Sequence, residues 1–573
     1  MAPAESNGGG QGDRIIPTYQ ALAEDIKAMG IDIVFGLMSD DTAVFAVTLD
    51  ALGIVFHGAR HENTAIGMAE GFSIATGRLG IAIIGRGPAT ANGLHAATFA
   101  SRTGAKVLII YGEEMVDGGA LNTLGPDYKS FNANGVLSAA GLKTFVPTSA
   151  ETARPMLADA AAAAMRGRAV TLNLPVNVQH ANLQTNGQMP PVLEPTSIPA
   201  ATPKAKAIET AAALLRNARK PLIVGGYGAF RAGAGEALEK LAERIGGLLV
   251  TSAKGKDMFR DSPYNMGIIG SFSHSAARRY AEQADCVIVF GAGLNFFTSS
   301  FGESMPDVPL IQVDANRAHI GRWLDADVAV VGDARIAAEN LLEAIPDRPI
   351  ADKPFHSEAV RQDLAAFDIA NDFQPANTTR TIDPRSLALE LDRMLPKDRN
   401  MVYDAGNFLG VVPYISVPGP GHFKMTNDFA SIGLGFGAAL GFAKARPDTP
   451  TILVIGDGGF MMTMGELETV VREDLPLVIV VMNDCAYGAE LHFLRMRQLP
   501  VAKSVFPDVD FAPIAAGFGF DAHTIRSLDA LRELAPLLAA PDGPIFLDCK
   551  INADVAAPFM SEVAAFEARH EGD

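Results

Sequence analysis

The sequence has few cysteines, no excess of positive charge and no long apolar run, and each absence excludes a class of protein. Its 573 residues include three cysteines, Cys286, Cys485 and Cys549, which are far apart and form no cluster with metal-ligand spacing. We therefore expect a reducing compartment, the cytoplasm. No apolar run reaches the length of about 18 residues that a membrane-spanning helix needs, so no membrane partner is expected.

The charge balance restricts the partners. A net charge of −18 argues against nucleic acid or an anionic membrane, because a phosphate backbone must meet a cationic surface. A phosphorylated small ligand remains compatible with an acidic protein, since a metal ion or a helix N-terminus can hold phosphate locally. Residues 1–12 lack the basic and apolar regions of a signal peptide, and we expect them to form a disordered tail.

The chain is too long for one hydrophobic core, and its pattern divides it into three blocks. Short β-branched apolar runs alternate with helical patterns in each block, and two proline-containing stretches separate the blocks. This rhythm predicts an α/β fold of three consecutive doubly wound parallel-sheet domains. The predicted boundaries are a tail at 1–12, a first domain at 13–185, a linker at 186–204, a central domain at 205–345, a linker at 346–384, a third domain at 385–560 and a tail at 561–573.

The most informative segment is GDGG at residues 456–459, followed by Asn483-Asp484. Each follows a predicted buried strand, so oxygen-bearing side chains stand at the carboxyl ends of neighbouring strands, where α/β sheets bind phosphate. Mg²⁺ prefers such oxygen ligands. Taken alone, the motif is equally well explained by a tight turn and a helix cap. The intervening segment 460–472 predicts a helix whose apolar face is formed by Met461, Met464, Leu467 and Val471.

The string GDGGF…ELETVVREDLP…NDCAYG resembles the cofactor signature of thiamine-diphosphate enzymes of the acetolactate synthase and pyruvate oxidase type. The resemblance implies that Asp457, Asp484 and the backbone carbonyl of Ala486 bind Mg²⁺. This family usually has Asn–Asn where this chain has Asn483-Asp484; the aspartate keeps an oxygen ligand and adds a negative charge. The other residues that the resemblance assigns to the cofactor here are Gly456, Gly458, Gly459, Tyr487 and Gly488.

Glu62 supplies the second half of this resemblance. It stands in RHENTAIGMAEGFSIATG at the start of a predicted helix, where a glutamate is ordinarily a favourable partner of the helix dipole. The same string is similar to the family's cofactor-activating acid. The resemblance implies that Glu62 hydrogen-bonds the aminopyrimidine ring and favours the tautomer that removes the cofactor's acidic proton. It also implies that Glu62 serves the metal-bearing domain of another subunit, in a homodimer with interfacial active sites that we expect to pair into a homotetramer.

Other segments extend the resemblance from about residue 14 to residue 554. It implies a pyrimidine-binding first domain and a diphosphate-binding third domain of the thiamin diphosphate-binding fold. Gly85–Asn92 resembles a turn near the reacting centre. In FASIGLGFGAALG, Ile432 would bend the cofactor and the carbonyl of Ala430 would accept its amino group. The turn DAGNF resembles the diphosphate-contacting turn, which implies contacts from Ala405, Gly406, Asn407 and Phe408.

The sequence constrains the substrate less closely. The turn MSDD (Met38–Asp41) replaces a glycine-rich turn of acetolactate synthases, and LGPDYKSFNANG stands in place of their FQE segment. FGAGLNFFTSSFG resembles a region of oxalyl-CoA decarboxylases and 2-hydroxyacyl-CoA lyases. The leading hypothesis is reversible cleavage of a 2-hydroxyacyl-CoA to an acyl-CoA such as formyl-CoA and an aldehyde or ketone. The alternatives are a 2-oxo-acid decarboxylase or acetolactate-synthase-type carboligase and, in another class, a non-catalytic nucleotide-binding assembly protein.

Further candidates lie beside the metal motif and in the central domain. Glu490 is a candidate proton shuttle or a helix cap, and His492 is a catalytic candidate or a structural residue. Arg495, Arg497 and Lys503 would meet coenzyme A phosphates or form a solvated basic face. FAD is an option in the central domain, since some relatives carry it, but its GGYGAF and GAGLN turns are a weak fingerprint.

Overall fold

The structure is a computed structural model that describes residues 14–116, 128–185, 200–347, 349 and 353–570. The expected tail at 1–12, most of the linker at 186–204 and the start of LGPDYKSFNANG lie outside these residues. The chain divides into two compact units, one of which combines the N-terminal domain with Asn427–Pro447 and Thr463–Leu475. The other combines the central domain with the rest of the C-terminal domain. Within the described ranges, every helix is too short or too polar to cross a membrane.

The N-terminal domain contains a six-stranded parallel sheet and a separate two-stranded antiparallel ribbon. Its strands are β1 Ile15–Pro17, β2 Ile33–Gly36, β3 Val55–Gly58, β4 Gly80–Ile84, β5 Val107–Glu113, β6 Lys143–Phe145, β7 Ala169–Pro175 and β8 Asn182–Gln184. Its helices are α1 Thr18–Ala28, α2 Ala43–Ala51, α3 Glu62–Thr76, α4 Pro88–Thr103, α5 Ala133–Ala139, α6 Ala150–Ala164 and α7 Val176–His180. The strand order of the large sheet is β3-β2-β4-β5-β7-β6, and β4 and β5 are fully buried, as their continuous apolar runs require.

The central domain has a parallel sheet in the order β11-β10-β9-β12-β13-β14. Its strands are β9 Pro221–Gly225, β10 Leu248–Thr251, β11 Asn265–Ile268, β12 Cys286–Phe290, β13 Leu310–Asp314 and β14 Val328–Val331. The helices of this region are α8 Ala205–Asn217, α9 Tyr227–Arg231, α10 Gly235–Ile245, α11 Ser275–Ala281, α12 Phe296–Ser299, α13 Ala334–Ala344 and α14 Glu358–Ala366. A separate apolar cluster covers each face of the sheet, which makes it a doubly wound layer.

The C-terminal domain repeats this architecture with the order β16-β15-β17-β18-β20-β19, again all parallel. Its strands are β15 Asn400–Tyr403, β16 Phe423–Met425, β17 Thr451–Gly456, β18 Leu477–Asn483, β19 Asp521–Ile525 and β20 Ile545–Lys550. Its helices are α15 Pro384–Met394, α16 Gly435–Ala445, α17 Asp457–Thr463, α18 Leu467–Arg472, α19 Gly488–Met496, α20 Ala512–Phe518, α21 Leu528–Arg532, α22 Ala535–Ala539 and α23 Pro558–His570. Three consecutive parallel-sheet α/β domains were predicted, and the structure confirms this fold class.

Two details of the predicted pattern differ from the structure. The segment 460–472 is not one helix: α17 begins earlier, at Asp457, and a short 3₁₀ turn at Met464–Glu466 separates it from α18. Its expected apolar face is wrong as well, since Leu467 is buried while Met461 is 54% exposed. The second difference lies at the C-terminus, where residues 561–570, expected to be tail, belong to α23.

Glycines allow α3 and α16 to cross at backbone contact within the first unit. A Cβ on Gly67 would stand 3.2 Å from the Cα of Gly437, and a Cβ on Gly71 would stand 2.8 Å from the Cα of Ala438 and overlap its carbonyl oxygen. Such an approach is open only to residues without a side chain. The small-residue pattern that follows Glu62 therefore serves helix packing and fixes the position of the helix that carries the acid.

Replacing Gly71 with alanine is expected to destabilise the first unit by about 1–3 kcal/mol, because the added methyl group meets backbone atoms that have no room to move. Urea unfolding of the cofactor-free protein measures the change. Gly517→Ala is the matched control, since Gly517 also lies in a helix but a Cβ there meets no atom within 4 Å. The control is expected to be neutral or slightly stabilising; equal losses in both variants would contradict the packing argument.

Candidate active site

Two carboxylates stand at the carboxyl ends of adjacent strands in the second unit. Asp457 directly follows β17, Asp484 directly follows β18, and these strands pair in parallel with Gly456 opposite Met482. The two side chains are close enough to share a hydrogen bond. Burial, and then the charge of Asp484, raises the pKa of Asp457 to about 8, while burial raises the pKa of Asp484 to about 6. Such a pair favours a bound cation.

The loop after β18 is shaped to leave these carboxylates accessible to a ligand. A Cβ on Gly488 would overlap Oδ2 of Asp484 and stand 3.2 Å from the Cβ of Asn407, so a larger residue would fill the space between them. The N–H of Ala486 donates to Oδ1 of Asp484 over 3.1 Å, and Cys485 between them has a left-handed φ of 57°. Two carboxylates and a nearby backbone carbonyl fit a hard divalent cation such as Mg²⁺.

The proposed metal site contains only two side-chain ligands. Among the described residues, no group of three or more His, Cys, Asp or Glu side chains could hold a metal ion. The expected set has two carboxylates, Asp457 and Asp484, and takes its third ligand from the main chain at Ala486. Mg²⁺ commonly completes its shell with water and phosphate oxygens, so a set of this size is sufficient when a diphosphate is present.

The side chain of Asn483 is held in a buried hydrogen-bond network at the end of β18. Its side-chain amide donates to Oδ1 of Asp548 over 2.8 Å, and the second oxygen of Asp548 lies 3.0 Å from Nζ of Lys550. Asp548 and Lys550 are essentially buried. This buried network fixes the end of β18 and thereby the direction in which Asp484 leaves the strand.

A cavity of about 390 Å³ opens beside Asp457. Its walls are mainly apolar, and the ring of Tyr487 packs edge-on against Phe506 with centroids 4.7 Å apart. The residues that line it are Asp457, Gly458, Met461, Met462, Asn483, Tyr487, Phe506, Pro507, Val509 and Phe511. A largely apolar cavity with a few charged groups at one end is the usual form of a cofactor or substrate site.

The remaining residues expected near a diphosphate lie in the turn after β15. Ala405, Asn407 and Phe408 are buried, and a Cβ on Gly456 would stand 3.1 Å from the ring of Phe408. The Asn407 side chain is already engaged, because its amide donates to the carbonyl of Val555 and its oxygen accepts from the N–H of Ala557. These two bonds hold the turn after β15 against the segment that contains Val555 and Ala557.

Glu62 lies in the first unit as the first residue of α3, where it is 7% exposed. The His61 side chain caps the helix by accepting from the N–H of Asn63. Oε2 of Glu62 accepts a hydrogen bond from Nδ2 of Asn92 over 3.1 Å. Asn92 comes from α4, so two helices place a buried carboxyl group and an amide donor side by side.

The loop that precedes α16 is anchored in the same unit. Oγ of Ser431 lies 2.7 Å from Nε2 of His95, whose other ring nitrogen lies 3.5 Å from Nδ2 of Asn63. Ile432 is half-buried, and Ala430 has a left-handed φ of 49°. These contacts connect the predicted pyrimidine-holding loop to the helix that begins at Glu62.

Sequence reasoning missed His95 as part of this arrangement. Asn92 and His95 are three residues apart on α4 and therefore share a helix face; one contacts Glu62 and the other contacts Ser431. Two polar side chains at this spacing in a helix of otherwise small residues were the available signal.

The two catalytic candidates on α19 differ in their exposure to solvent. Glu490 is exposed in the first turn, whereas His492 is 5% exposed and lies against the segment at Val555. Burial lowers the pKa of His492, so the ring is neutral at pH 7. The neighbouring cations are engaged at the surface: Arg495 pairs with Asp554 at 3.0 Å, and Arg497 with Glu567.

The two central-domain turns considered for FAD pack on each other. The N–H of Gly226 donates to the carbonyl of Phe290 over 2.8 Å, and that of Gly228 donates to the carbonyl of Gly291 over 2.9 Å. These turns follow β9 and β12, the strands between which the order of the sheet reverses and where dinucleotides usually bind. Their close packing gives no support to a flavin at this crevice.

Three protein-family models match the chain in consecutive order. The "Thiamine pyrophosphate enzyme, N-terminal TPP binding domain" matches residues 17–126, the "central domain" of the same enzymes matches 208–341, and their "C-terminal TPP binding domain" matches 404–549. The first match includes Glu62, and the third includes both Asp457 and Asp484. The order and content of the three matches agree with the three parallel-sheet domains.

Similar curated proteins share almost the whole length of the chain. A probable acetolactate synthase large subunit of Methanocaldococcus jannaschii is 26% identical over 94% of this chain and 93% of its own length. The 2-hydroxyacyl-CoA lyase 1 of Homo sapiens is 25% identical over 96% of both chains. A sulfoacetaldehyde acetyltransferase of Castellaniella defragrans is 26% identical over 92% of this chain and 91% of its own. With its three domains in the family's order, the chain belongs to the thiamine pyrophosphate enzymes and is an enzyme of their lyase and carboligase branch.

Proposed function

We propose that this enzyme is a Mg²⁺-dependent lyase or ligase that reversibly cleaves a 2-hydroxyacyl-CoA to an acyl-CoA, such as formyl-CoA, and an aldehyde or ketone. When bound, thiamine diphosphate stabilises negative charge on the carbon next to a carbonyl group. Asp457, Asp484 and the carbonyl of Ala486 would hold the metal, and Glu62 would hold the proton that activates the pyrimidine ring. The substrate choice depends on the turn Met38–Asp41, whose polar sequence departs from the glycine-rich turn of acetolactate synthases.

The side chains of this turn are fixed by hydrogen bonds. Oγ of Ser39 donates to Oδ1 of Asp41 over 2.5 Å, and Oδ2 of Asp41 accepts the N–H of Arg86 over 2.9 Å. Lys129 pairs with Asp40, and its Nζ lies 3.7 Å from Oδ1 of Asp41. A cluster of polar groups, in which Asp41 is buried and Asp40 is exposed, therefore lies beyond the carboxyl end of β2.

Two glycines provide the space for this cluster. A Cβ on Gly85 would stand 2.6 Å from the Cβ of Ser39, and a Cβ on Gly112 would overlap the carboxylate of Asp41. The neighbouring turn and strand are therefore built around the polar side chains. The turn therefore keeps a fixed arrangement of polar side chains where acetolactate synthases have a glycine-rich turn. This supports a substrate with more polar groups than pyruvate.

The relatives favour a second candidate as well as the first. The archaeal acetolactate synthase homologue is 26% identical to this chain, and the human 2-hydroxyacyl-CoA lyase 1 is 25% identical. A 2-oxo-acid decarboxylase or acetolactate-synthase-type carboligase is therefore the alternative. The two assignments differ in their substrates, so an assay of substrates distinguishes them.

A side-by-side assay of pyruvate, oxalyl-CoA and 2-hydroxyisobutyryl-CoA with thiamine diphosphate and Mg²⁺ tests the substrate class. We expect kcat/KM for the 2-hydroxyacyl-CoA to exceed that for pyruvate by roughly 10² or more, because the larger substrate carries polar groups that the polar turn Met38–Asp41 would bind and that pyruvate lacks. Assays without Mg²⁺ and without cofactor are the controls. Activity on pyruvate alone would reject the acyl-CoA assignment and establish the carboligase or decarboxylase alternative.

The assembly that we propose is a homodimer with active sites at its interface, paired into a tetramer. Large apolar side chains around the cavity beside Asp457 are exposed, with Met461 at 54%, Met462 at 62% and Tyr487 at 37%. Contiguous exposed apolar groups mark surfaces that another chain covers. Sedimentation equilibrium measures the mass, and a fully active monomer would contradict this assembly.

The free thiols of the three cysteines support the cytoplasm as the compartment.

A further inference from the structure

The hydroxyl group of Tyr111 is a buried donor with no acceptor. Tyr111 lies on β5 and is fully buried, and no described residue makes a hydrogen bond with its hydroxyl. A polar group in this position has lost its hydrogen bonds to water without replacing them. The cost of burying such a group is removed when another state of the protein supplies the missing hydrogen-bond acceptor.

The hydroxyl lies beside the first turn of the helix that carries Glu62. A Cβ on Gly93 would stand 3.1 Å from the Tyr111 oxygen, 3.7 Å from the Cβ of Glu62 and 2.9 Å from Cδ1 of Ile66. The tyrosine hydroxyl, the glutamate and the two helices α3 and α4 thus border one small space. The space exists because Gly93 has no side chain.

The protonation state of Tyr111 makes it a permanent donor. Burial, and then the negative charge of Glu62, raises the pKa of Tyr111 well above its ordinary value of 10. Its hydroxyl therefore keeps its proton throughout the working pH range of an enzyme. Oε2 of Glu62 accepts a hydrogen bond from Asn92. No described side chain donates a hydrogen bond to the second carboxyl oxygen, Oε1.

We propose that Tyr111 is a positioning residue for Glu62, whose carboxyl receives hydrogen bonds from Tyr111 and Asn92 when the cofactor is bound. The inference rests on the proposed role of Glu62 as the activating acid. Donors from a strand and a helix would restrict the carboxyl to one orientation, and a proton-transferring group needs a fixed orientation toward its partner.

The test uses Tyr111→Phe in the full-length enzyme, which removes the hydroxyl and keeps the ring. The exchange of the cofactor's reactive proton in D₂O, followed by NMR at saturating thiamine diphosphate and Mg²⁺, measures activation without a substrate. We expect this exchange to slow about tenfold, the effect of one hydrogen bond. The dissociation constant of thiamine diphosphate is expected to stay within about twofold, because the substitution leaves the proposed metal and diphosphate ligands, Asp457 and Asp484, unchanged. The near-ultraviolet circular dichroism of the bound cofactor should change with the exchange rate.

Two further variants separate the possible outcomes. Tyr403→Phe is the matched control, since Tyr403 is also fully buried with a hydroxyl that no described residue pairs, and it should exchange at the wild-type rate. Exchange at the wild-type rate in Tyr111→Phe, or equal slowing in both tyrosine variants, would overturn the positioning role. Glu62→Gln should abolish exchange. If Glu62→Gln exchanges normally, the proposed function of Glu62 fails, and the role of Tyr111 fails with it.

Discussion

Replacing Glu62 with glutamine is expected to lower kcat by about 10²–10⁴-fold while the cofactor remains bound, because the change replaces the ionisable carboxyl group, which is proposed to act by proton transfer, with an amide that does not titrate. Glutamine has the size of glutamate, and its amide oxygen can still accept the hydrogen bond from Asn92. The burial of Glu62 at 7% exposure leaves little room for water to replace the acid. Steady-state kinetics and a binding isotherm for thiamine diphosphate, measured on the same preparation, distinguish lost chemistry from lost affinity.

The first turn of α14 offers a control for the ordinary structural role of such a residue. Glu358 and Glu62 each lie in the first turn of a helix, but Glu358 is exposed and Glu62 is buried. Glu358→Gln removes the same interaction with the helix dipole, which contributes about 0.3–1 kcal/mol, and is expected to leave kcat unchanged. A Glu62→Gln enzyme with wild-type kcat would show that Glu62 has only this dipole role. It would also restore the alternative of a non-catalytic assembly protein.

The same variant tests whether the active site is shared between subunits. Glu62→Gln and Asp457→Asn homodimers should each be inactive when the proposed roles hold. Dissociation and reassociation of a one-to-one mixture produces heterodimers in which one of the two sites is intact, so about a quarter of the wild-type turnover is expected to return. A mixture that stays inactive would place both residues of each site in the same subunit.

The sequence predicted the parts of the site that depend on strand ends. Buried strands read as continuous apolar runs, so the ends of β17 and β18, and with them the adjacency of Asp457 and Asp484, followed from pattern alone. The start of α3 at Glu62 was predicted because a helical pattern follows the apolar run LGIVF there. These features are local or follow from the parallel topology, which is why one sequence was sufficient.

The features that were missed depend on tertiary packing. The apolar face predicted for 460–472 was wrong because Met461 lines the cavity and does not pack in a hydrophobic core. Helical periodicity does not distinguish a residue that lines a cavity from one that packs in a core. The Tyr111 hydroxyl and the amide of Asn92 approach Glu62 from different elements, and no spacing in the sequence relates them. Likewise, the direction of Asn483, turned toward Asp548, is fixed by a network that assembles only in the folded domain.

The carboxylate pair makes the metal-free enzyme less stable as the pH rises. Both carboxyls have pKa values raised from the ordinary 3.8, to about 8 for Asp457 and about 6 for Asp484. Between pH 4 and pH 8 the folded state therefore holds more protons than the unfolded state, and the free energy of unfolding falls as the pH rises. The expected loss is on the order of a few kcal/mol. Urea unfolding at pH 5 and pH 8 in the presence of a chelator measures it.

Asp457→Asn and Asp484→Asn are expected to have the same effect on this pH dependence, but only Asp457→Asn is expected to weaken metal binding strongly. Each variant removes one of two facing charges, so each should flatten the fall in stability between pH 5 and pH 8. Asp484→Asn restores the amide that the family usually has and keeps an oxygen ligand, so Mg²⁺ and thiamine diphosphate should still raise the unfolding temperature. Asp457→Asn exchanges the principal anionic ligand for an amide, and we expect the apparent affinity for Mg²⁺ to fall by about 10² or more. Equal losses of metal-dependent stabilisation in the two variants would contradict these separate roles, and an unchanged pH dependence in both would show that the pair is not the source of the effect.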